Sequence, residues 1–230
     1  MYDAFDIRLK QEGGLKHYEN EVLAYERQPI QKGLILFYGS SGFTRWKREK
    51  YDHRPLEEEI RRKDGSVAAV NHGVGGSTAE DLLYYYDRLV RPWEPRALVL
   101  RVWPNDRAQG YSPAEIMFLC SRILAYARAD FPGIRLYACD VTPQKRSIGD
   151  KLWLSHAKQF NSLLHDYCAS HDDTTYICQA AFPGFYRDPA DVGDYFKIRQ
   201  DIFVEDGVHF TQEGYDIYRD LFLQALDDIL

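Results

Sequence analysis

The sequence has few cysteines, no long apolar run and no excess of positive charge, and each shortage removes a class of protein. Four cysteines in 230 residues, Cys120, Cys139, Cys168 and Cys178, show no C-x-x-C spacing and no neighbouring histidine cluster. Neither a zinc site nor a disulfide framework is expected from that scatter. No window approaches the roughly eighteen consecutive apolar residues of a membrane-spanning helix. The opening residues Met1-Tyr2-Asp3-Ala4-Phe5-Asp6 are acidic and lack a basic segment followed by an apolar one, so no secretory signal is expected. The net charge of −6 disfavours nucleic acid, whose phosphates must be neutralised by clustered Lys and Arg. One basic cluster exists, Arg45, Lys47, Arg48 and Lys50, but Glu49 and Glu57-Glu58-Glu59 offset it, and a solvated face is the expectation. Together these shortages predict a reduced, cytoplasmic protein with no membrane or nucleic-acid partner. They leave homo-oligomer formation open.

What is present is a pattern of short apolar runs alternating with helical stretches, which predicts a parallel sheet with helices on both faces. The expected strands are Leu34 to Tyr38, Val67 to Val70, Ala97 to Val102, Ile134 to Ala138 and Thr175 to Cys178, all rich in β-branched or aromatic residues. Ser77-Thr78-Ala79-Glu80 opens a helix that Pro92 ends. Ser112-Pro113-Ala114-Glu115 opens another with a capping serine, proline at the first helical position and glutamate three after the cap. Apolar stripes over Lys151 to Ser170 and Thr211 to Leu230 predict two more, and residues 13 to 28 a preliminary helix outside the sheet. The length fits one domain over residues 1–230, with residues 1–30 as a helical extension packed on it. The longest irregular stretch, Ala180 to Glu205, is expected to cover or line a site.

Ligands of an open parallel sheet bind beyond the carboxyl ends of its strands, so the residues following each strand carry the functional information. Gly39-Ser40-Ser41-Gly42 follows the first, Asn71-His72-Gly73-Val74-Gly75-Gly76 the second and Trp103-Pro104-Asn105-Asp106 the third. The long loop after the fifth delivers Asp206-Gly207-Val208-His209. These supply a hydroxyl, unobstructed glycine amides, a side-chain amide and an imidazole with a carboxylate three positions away. Those are the groups acyl transfer needs. The glycine loop lacks the Lys-Ser/Thr ending of a P-loop and the G-x-G-x-x-G spacing, which argues against a nucleotide site.

These four blocks, in this order between about residues 33 and 220, resemble the SGNH or GDSL hydrolases, esterases, lipases and carbohydrate deacetylases built on a flavodoxin-like sheet. The family's Gly-Asp-Ser corresponds to Gly39-Ser40-Ser41, with Ser40 in place of aspartate. Its Gly-x-Asn-Asp corresponds to Trp103-Pro104-Asn105-Asp106, with Trp103 in place of glycine. The resemblance implies an α/β fold of three layers, α/β/α, around a mainly five-stranded parallel sheet. It implies Ser41 as nucleophile, His209 as base and Asp206 as the residue that orients it. The implied oxyanion hole combines the amides of Ser41 and Gly76 with the side chain of Asn105. No metal or cofactor is implied. The expected substrate is a small acyl ester, with acetyl preferred and an acetylated sugar as one source of the alcohol.

Several positions have competing readings. Ser40 offers a second hydroxyl; the family register selects Ser41. Trp103 narrows the acyl pocket, forms a stacking wall or fills the core. Phe182, Phe185, Tyr186, Tyr195 and Phe196 form either a hydrophobic plug or substrate-contacting walls, and Trp103, Phe185 and Tyr186 are taken as the substrate contacts. His72 is expected in a solvated loop, with substrate contact the lesser reading, and Asp106 is expected to hold the neighbouring loop. Two other functions remain open, a noncatalytic ligand-binding module on the same scaffold and metal-dependent hydrolysis through Asp206 and His209.

Overall fold

The structure, a computed structural model, describes residues 16–230. The first residues of the expected preliminary helix, 13 to 15, lie outside the described residues, as does the first half of the expected extension. The described part of that helix, α1 (Glu19–Glu26), buries Val22 and is tied to the body by Arg88, which pairs with Glu19 at 2.8 Å and Glu26 at 2.7 Å.

In chain order there follow β1 (Ile35–Gly39), α2 (Ser41–Thr44), α3 (Leu56–Glu59), β2 (Ala69–Gly73), α4 (Ala79–Leu89), β3 (Ala97–Arg101), α5 (Pro104–Ala108), α6 (Pro113–Asp130), β4 (Arg135–Cys139), α7 (Lys151–Ala169), β5 (Thr174–Ile177) and α8 (Gln212–Ala225). The five strands form one parallel sheet in the order β2-β1-β3-β4-β5. Four of them lie within one residue of where the apolar runs place them, and β2 within three. The largest shift is in β2, which begins at Ala69 and carries His72 and Gly73 inside the strand.

The helix starts follow the capping chemistry. Thr78 accepts from the Asp81 amide while the Asp81 carboxylate accepts from the Thr78 amide at 2.8 Å. Ser112 and Glu115 make the same reciprocal pair. Such boxes satisfy amides that a helix start leaves unpaired, each worth about 1 kcal/mol.

Strand alternation divides the core into two layers. Leu36, Tyr38, Leu98, Leu100 and Leu136 face α4, α6 and α7. Ile35, Phe37, Val99 and Tyr137 face the other way, onto Phe43 and Trp46 after β1 and Tyr218 and Phe222 of α8. Both faces of the sheet are covered, which is why the strands read as apolar runs rather than alternating ones. Among the described residues no helix is long and apolar enough to cross a membrane.

Two glycines allow α2 to sit against the end of the sheet. A Cβ on Gly73 would lie 2.3 Å from the Thr44 amide nitrogen, and one on Gly39 would lie 2.6 Å from the Arg101 carbonyl. The side-chain amide of Asn71 completes the junction, donating to the Phe43 carbonyl at 2.7 Å while its oxygen accepts from the Gly73 amide at 3.0 Å.

Gly73→Ala therefore forces backbone apart and should destabilise the protein by about 2 kcal/mol, a fall in Tm of about 4 to 8 °C for a chain of this length. Gly75, where an added Cβ meets nothing closer than 3.6 Å, is the control: thermal melts should find Gly75→Ala close to wild type.

Candidate active site

The three strands β1, β2 and β3 end side by side, and the loops that leave them converge. Ser41 is the first residue of α2, with Ser40 extended ahead of it. Ser40 is 3 % exposed, whereas Ser41 is partly open to the cleft. The hydroxyl of Ser41 lies 2.8 Å from Nε2 of His209, and Nδ1 of His209 lies 2.6 Å from Oδ2 of Asp206. The hydroxyl, imidazole and carboxylate proposed from the loops are thus in one hydrogen-bonded chain, although 168 positions separate Ser41 from His209.

A tight hairpin presents the last two. Val204 and His209 bond through their backbones at 2.9 Å, Phe203 and Phe210 bridge in antiparallel register, and Gly207 turns with φ of 69°. Only a residue that tolerates positive φ fits there without strain. Oδ1 of Asp206 accepts from the amides of Val208 and His209, both at 2.9 Å, which leaves Oδ2 aimed at the imidazole.

The electrostatics hold this pair as carboxylate and neutral imidazole. Partial burial pulls the Asp206 carboxyl upward, but the bonds from His209 and Val208 outweigh it and bring it down to about 2. His209 is held below its ordinary value of 6.5, first by burial; the bond to Asp206 opposes this, and the cations Arg45 and Arg101 add to the lowering. Arg45 also contacts Oδ2 of Asp206 at 3.4 Å, competing for the carboxylate.

The expected oxyanion donors gather around Ser41. Among the described residues the amides of Ser41 and Gly76 have no acceptor. Gly76 has φ of 86° and lies under the Tyr18 hydroxyl, which a Cβ would approach to 3.1 Å. Asn105 donates one amide proton to the Ser77 carbonyl at 2.9 Å, which fixes its side chain and leaves the second proton. Asp106 ties the two donor loops together: its carboxylate accepts from the Ala79 amide at 2.6 Å and the Trp103 amide at 3.1 Å.

Three expected substrate contacts are not at the cleft. Trp103 is 1 % exposed and turned into the helical layer, 5.2 Å from Phe160 and 6.5 Å from Trp153 between ring centroids. Its φ of 119° lies where glycine is favoured, which accounts for glycine in the resembling pattern; here the buried indole contacts offset the strain. Phe185 is fully buried against Phe210, and Tyr186 is buried with its hydroxyl bonded to the Ala180 carbonyl. The long loop before Asp206 is therefore a plug that anchors the hairpin. His72 is no loop residue either: fully buried in β2, it bonds the Leu89 carbonyl at 2.7 Å, and burial takes it down to about 4.

The cleft walls come from elsewhere. On one side of Ser41 a space of about 580 Å³ is lined by Arg45, Lys47, Glu49, Lys50 and Tyr51, together with Glu21, Gly75 and Gly76. On the other, about 440 Å³ is lined by Arg107, Gln144, Arg146, Ser147, Asp150 and Trp153. Three of the four residues of the basic cluster read as a solvated face, Arg45, Lys47 and Lys50, thus form a wall of the cleft, while Arg48 stays exposed and pairs with Glu58. The 144–150 segment carried no sequence signal except that it follows the end of a strand. Among the described residues no cluster of three or more His, Cys, Asp or Glu could hold a metal ion.

No curated protein sequence matches the chain. Solved structures do. An assigned acylhydrolase from Bacteroides fragilis superposes with a TM-score of 0.67 at 18 % identity, covering 95 % of this chain and 98 % of that one. A GDSL-like lipase from Bacteroides thetaiotaomicron gives 0.66 at 21 %, covering 96 % and 100 %. The psychrotrophic esterase EstA from Pseudoalteromonas, in a structure inhibited by monoethylphosphonate, gives 0.61 at 15 %, covering 86 % and 98 %. At such identities the likeness is one of fold. The sequence model of the GDSL-like lipase/acylhydrolase family matches residues 37–217, which takes in the loops after β1, β2 and β3 as well as the Asp206–His209 hairpin. The chain belongs to that family and is accordingly a hydrolase of ester substrates.

Proposed function

We propose that the protein is a serine esterase acting on a short acyl ester, acetyl in size, of a polar alcohol such as a sugar. The observation that carries this reading is the unbroken chain from Ser41 through His209 to Asp206, at 2.8 and 2.6 Å. His209 takes the Ser41 proton as the hydroxyl oxygen attacks the carbonyl carbon. The oxyanion that develops is met by the amides of Ser41 and Gly76 and the free amide proton of Asn105. His209 then protonates the departing alcohol, and in the second half it activates water to cleave the acyl-serine and return the proton. Asp206 holds the imidazole tautomer and balances the imidazolium formed in each half.

The substrate class rests on the cleft walls. Charged and amide side chains dominate both sides of Ser41, with Tyr51 as a half-exposed aromatic surface against which a sugar ring could stack. Neither lining contains a Leu, Ile, Met or Phe side chain to hold a long alkyl chain, so the preference for a short acyl group now derives from the residues of the walls rather than from a pocket closed by Trp103.

Ser41→Ala should reduce kcat/KM for p-nitrophenyl acetate by about 10³-fold or more and abolish labelling by a fluorophosphonate. Ser40→Ala should stay within about tenfold of wild type, because a buried neighbour is lost but not the nucleophile. Activity should persist in chelator. A wild-type protein with neither turnover nor labelling contradicts the esterase reading and favours a ligand-binding module.

Only the neutral imidazole accepts a proton, so activity falls as pH drops through the His209 pKa. Because that pKa is lowered, the acid limb of kcat/KM should lie below pH 6.5. Arg45→Gln removes a cation that disfavours imidazolium, and it should move the limb upward by a few tenths of a unit; a downward shift contradicts the assignment.

A further inference from the structure

A second polar group lies beneath Ser41 that the reaction above does not use. Arg101 ends β3 with its side chain on the layer beneath α2, and it is only 7 % exposed. Among the described residues its guanidinium has no ion pair or hydrogen-bond acceptor, and Nε is buried without a partner. Three neighbouring acceptors are engaged elsewhere: Asp206 with His209 and Arg45, the Tyr215 hydroxyl with the Gly42 carbonyl, and the Tyr218 hydroxyl with Gln179.

Room has been kept for this cation. A Cβ on Gly42 would lie 2.6 Å from Nη1, so the residue after Ser41 must be small for Arg101 to sit there. Arg101 borders a small cavity of about 20 Å³ shared with Ser41, His209, Gln144 and Tyr215. Such a volume admits about one oxygen-sized group. The glycine loop carrying Gly76 does not line it. With the oxyanion on the Gly76 side, a short substituent of the scissile carbonyl is free to turn toward Arg101.

A buried cation without a partner is costly, and a guanidinium stays charged rather than escape the cost by losing its proton. An acceptor supplied by the substrate removes that cost. We propose that Arg101 is a specificity residue for the acyl group: it takes a hydrogen bond acceptor, a second oxygen within a bond or two of the scissile carbonyl carbon. The substrate class is then a short oxygenated acyl ester rather than a plain alkanoyl one. This rests on the esterase reading.

The test compares p-nitrophenyl methoxyacetate with p-nitrophenyl butyrate, equal in chain length and differing by one oxygen in place of a methylene. Each kcat/KM is divided by the ester's rate of hydroxide hydrolysis, which removes intrinsic reactivity. Wild type should favour methoxyacetate by about tenfold or more after this correction, the size expected of a hydrogen bond to a charged group. Arg101→Met should bring the corrected ratio close to one, and Arg101→Lys, with its charge kept but its fork lost, should fall between. A corrected wild-type ratio near one overturns the proposal without any variant. So does a preference that Arg101→Met keeps, or, if that variant fails to fold, one that Arg101→Lys leaves unaltered. Turnover without preference removes only the role of Arg101. Absence of turnover on both esters, with no fluorophosphonate labelling, removes the esterase reading and this inference with it.

Discussion

The site depends on how closely α2 can approach the end of the sheet. Parallel strands end in register, and whatever follows β1 must cross the ends of β2 and β3 at backbone distance. Gly73 and Gly39 permit that contact because neither presents a Cβ to the Thr44 amide or the Arg101 carbonyl, and Asn71 bonds the two segments together. Ser41 is therefore placed by backbone packing rather than by its own side chain. The same closeness brings the glycine loop and Asn105 to Ser41, and it leaves space beneath Gly42 for one buried guanidinium.

Much of this was legible because it is local. Apolar runs located the strands to within three residues, since a sheet covered on both faces writes itself as continuous hydrophobic segments. Thr78 and Ser112 announced their helices through caps that act within four residues. The Asp-x-x-His spacing of Asp206 and His209 was readable for the same reason: one hairpin makes both bonds. What the sequence hid is long-range. Trp103 stands at a strand end, where ligands gather, yet its direction is set by Phe160 on a helix almost sixty residues away, and it supports Trp153 instead of facing the cleft. Nothing local distinguishes an aromatic loop that lines a site from one that plugs the core, and the Phe185 segment proved to be the second kind. Arg101 had a signal, a lone cation inside the apolar run Leu98-Val99-Leu100-Arg101-Val102, but only the fold reveals that Ser41 lies above it.

Charge is the other organising feature. Burial first, and then the cations Arg45 and Arg101, keep the His209 imidazole neutral at lower pH than an isolated one, while Asp206 works against them by favouring the imidazolium. The walls on either side carry both signs, Arg45, Lys47 and Lys50 with Glu21 and Glu49 on one, Arg107 and Arg146 with Asp150 on the other.

The central claim is that Ser41 carries the acyl group between the two halves of the reaction. Acid-quenching wild type within its first turnovers of p-nitrophenyl acetate, followed by peptide mass mapping, tests it directly. The account predicts an acetyl group on Ser41 that accumulates and then disappears as substrate is exhausted. An acetyl group on Ser40, or turnover with no acylated serine at any time, contradicts it.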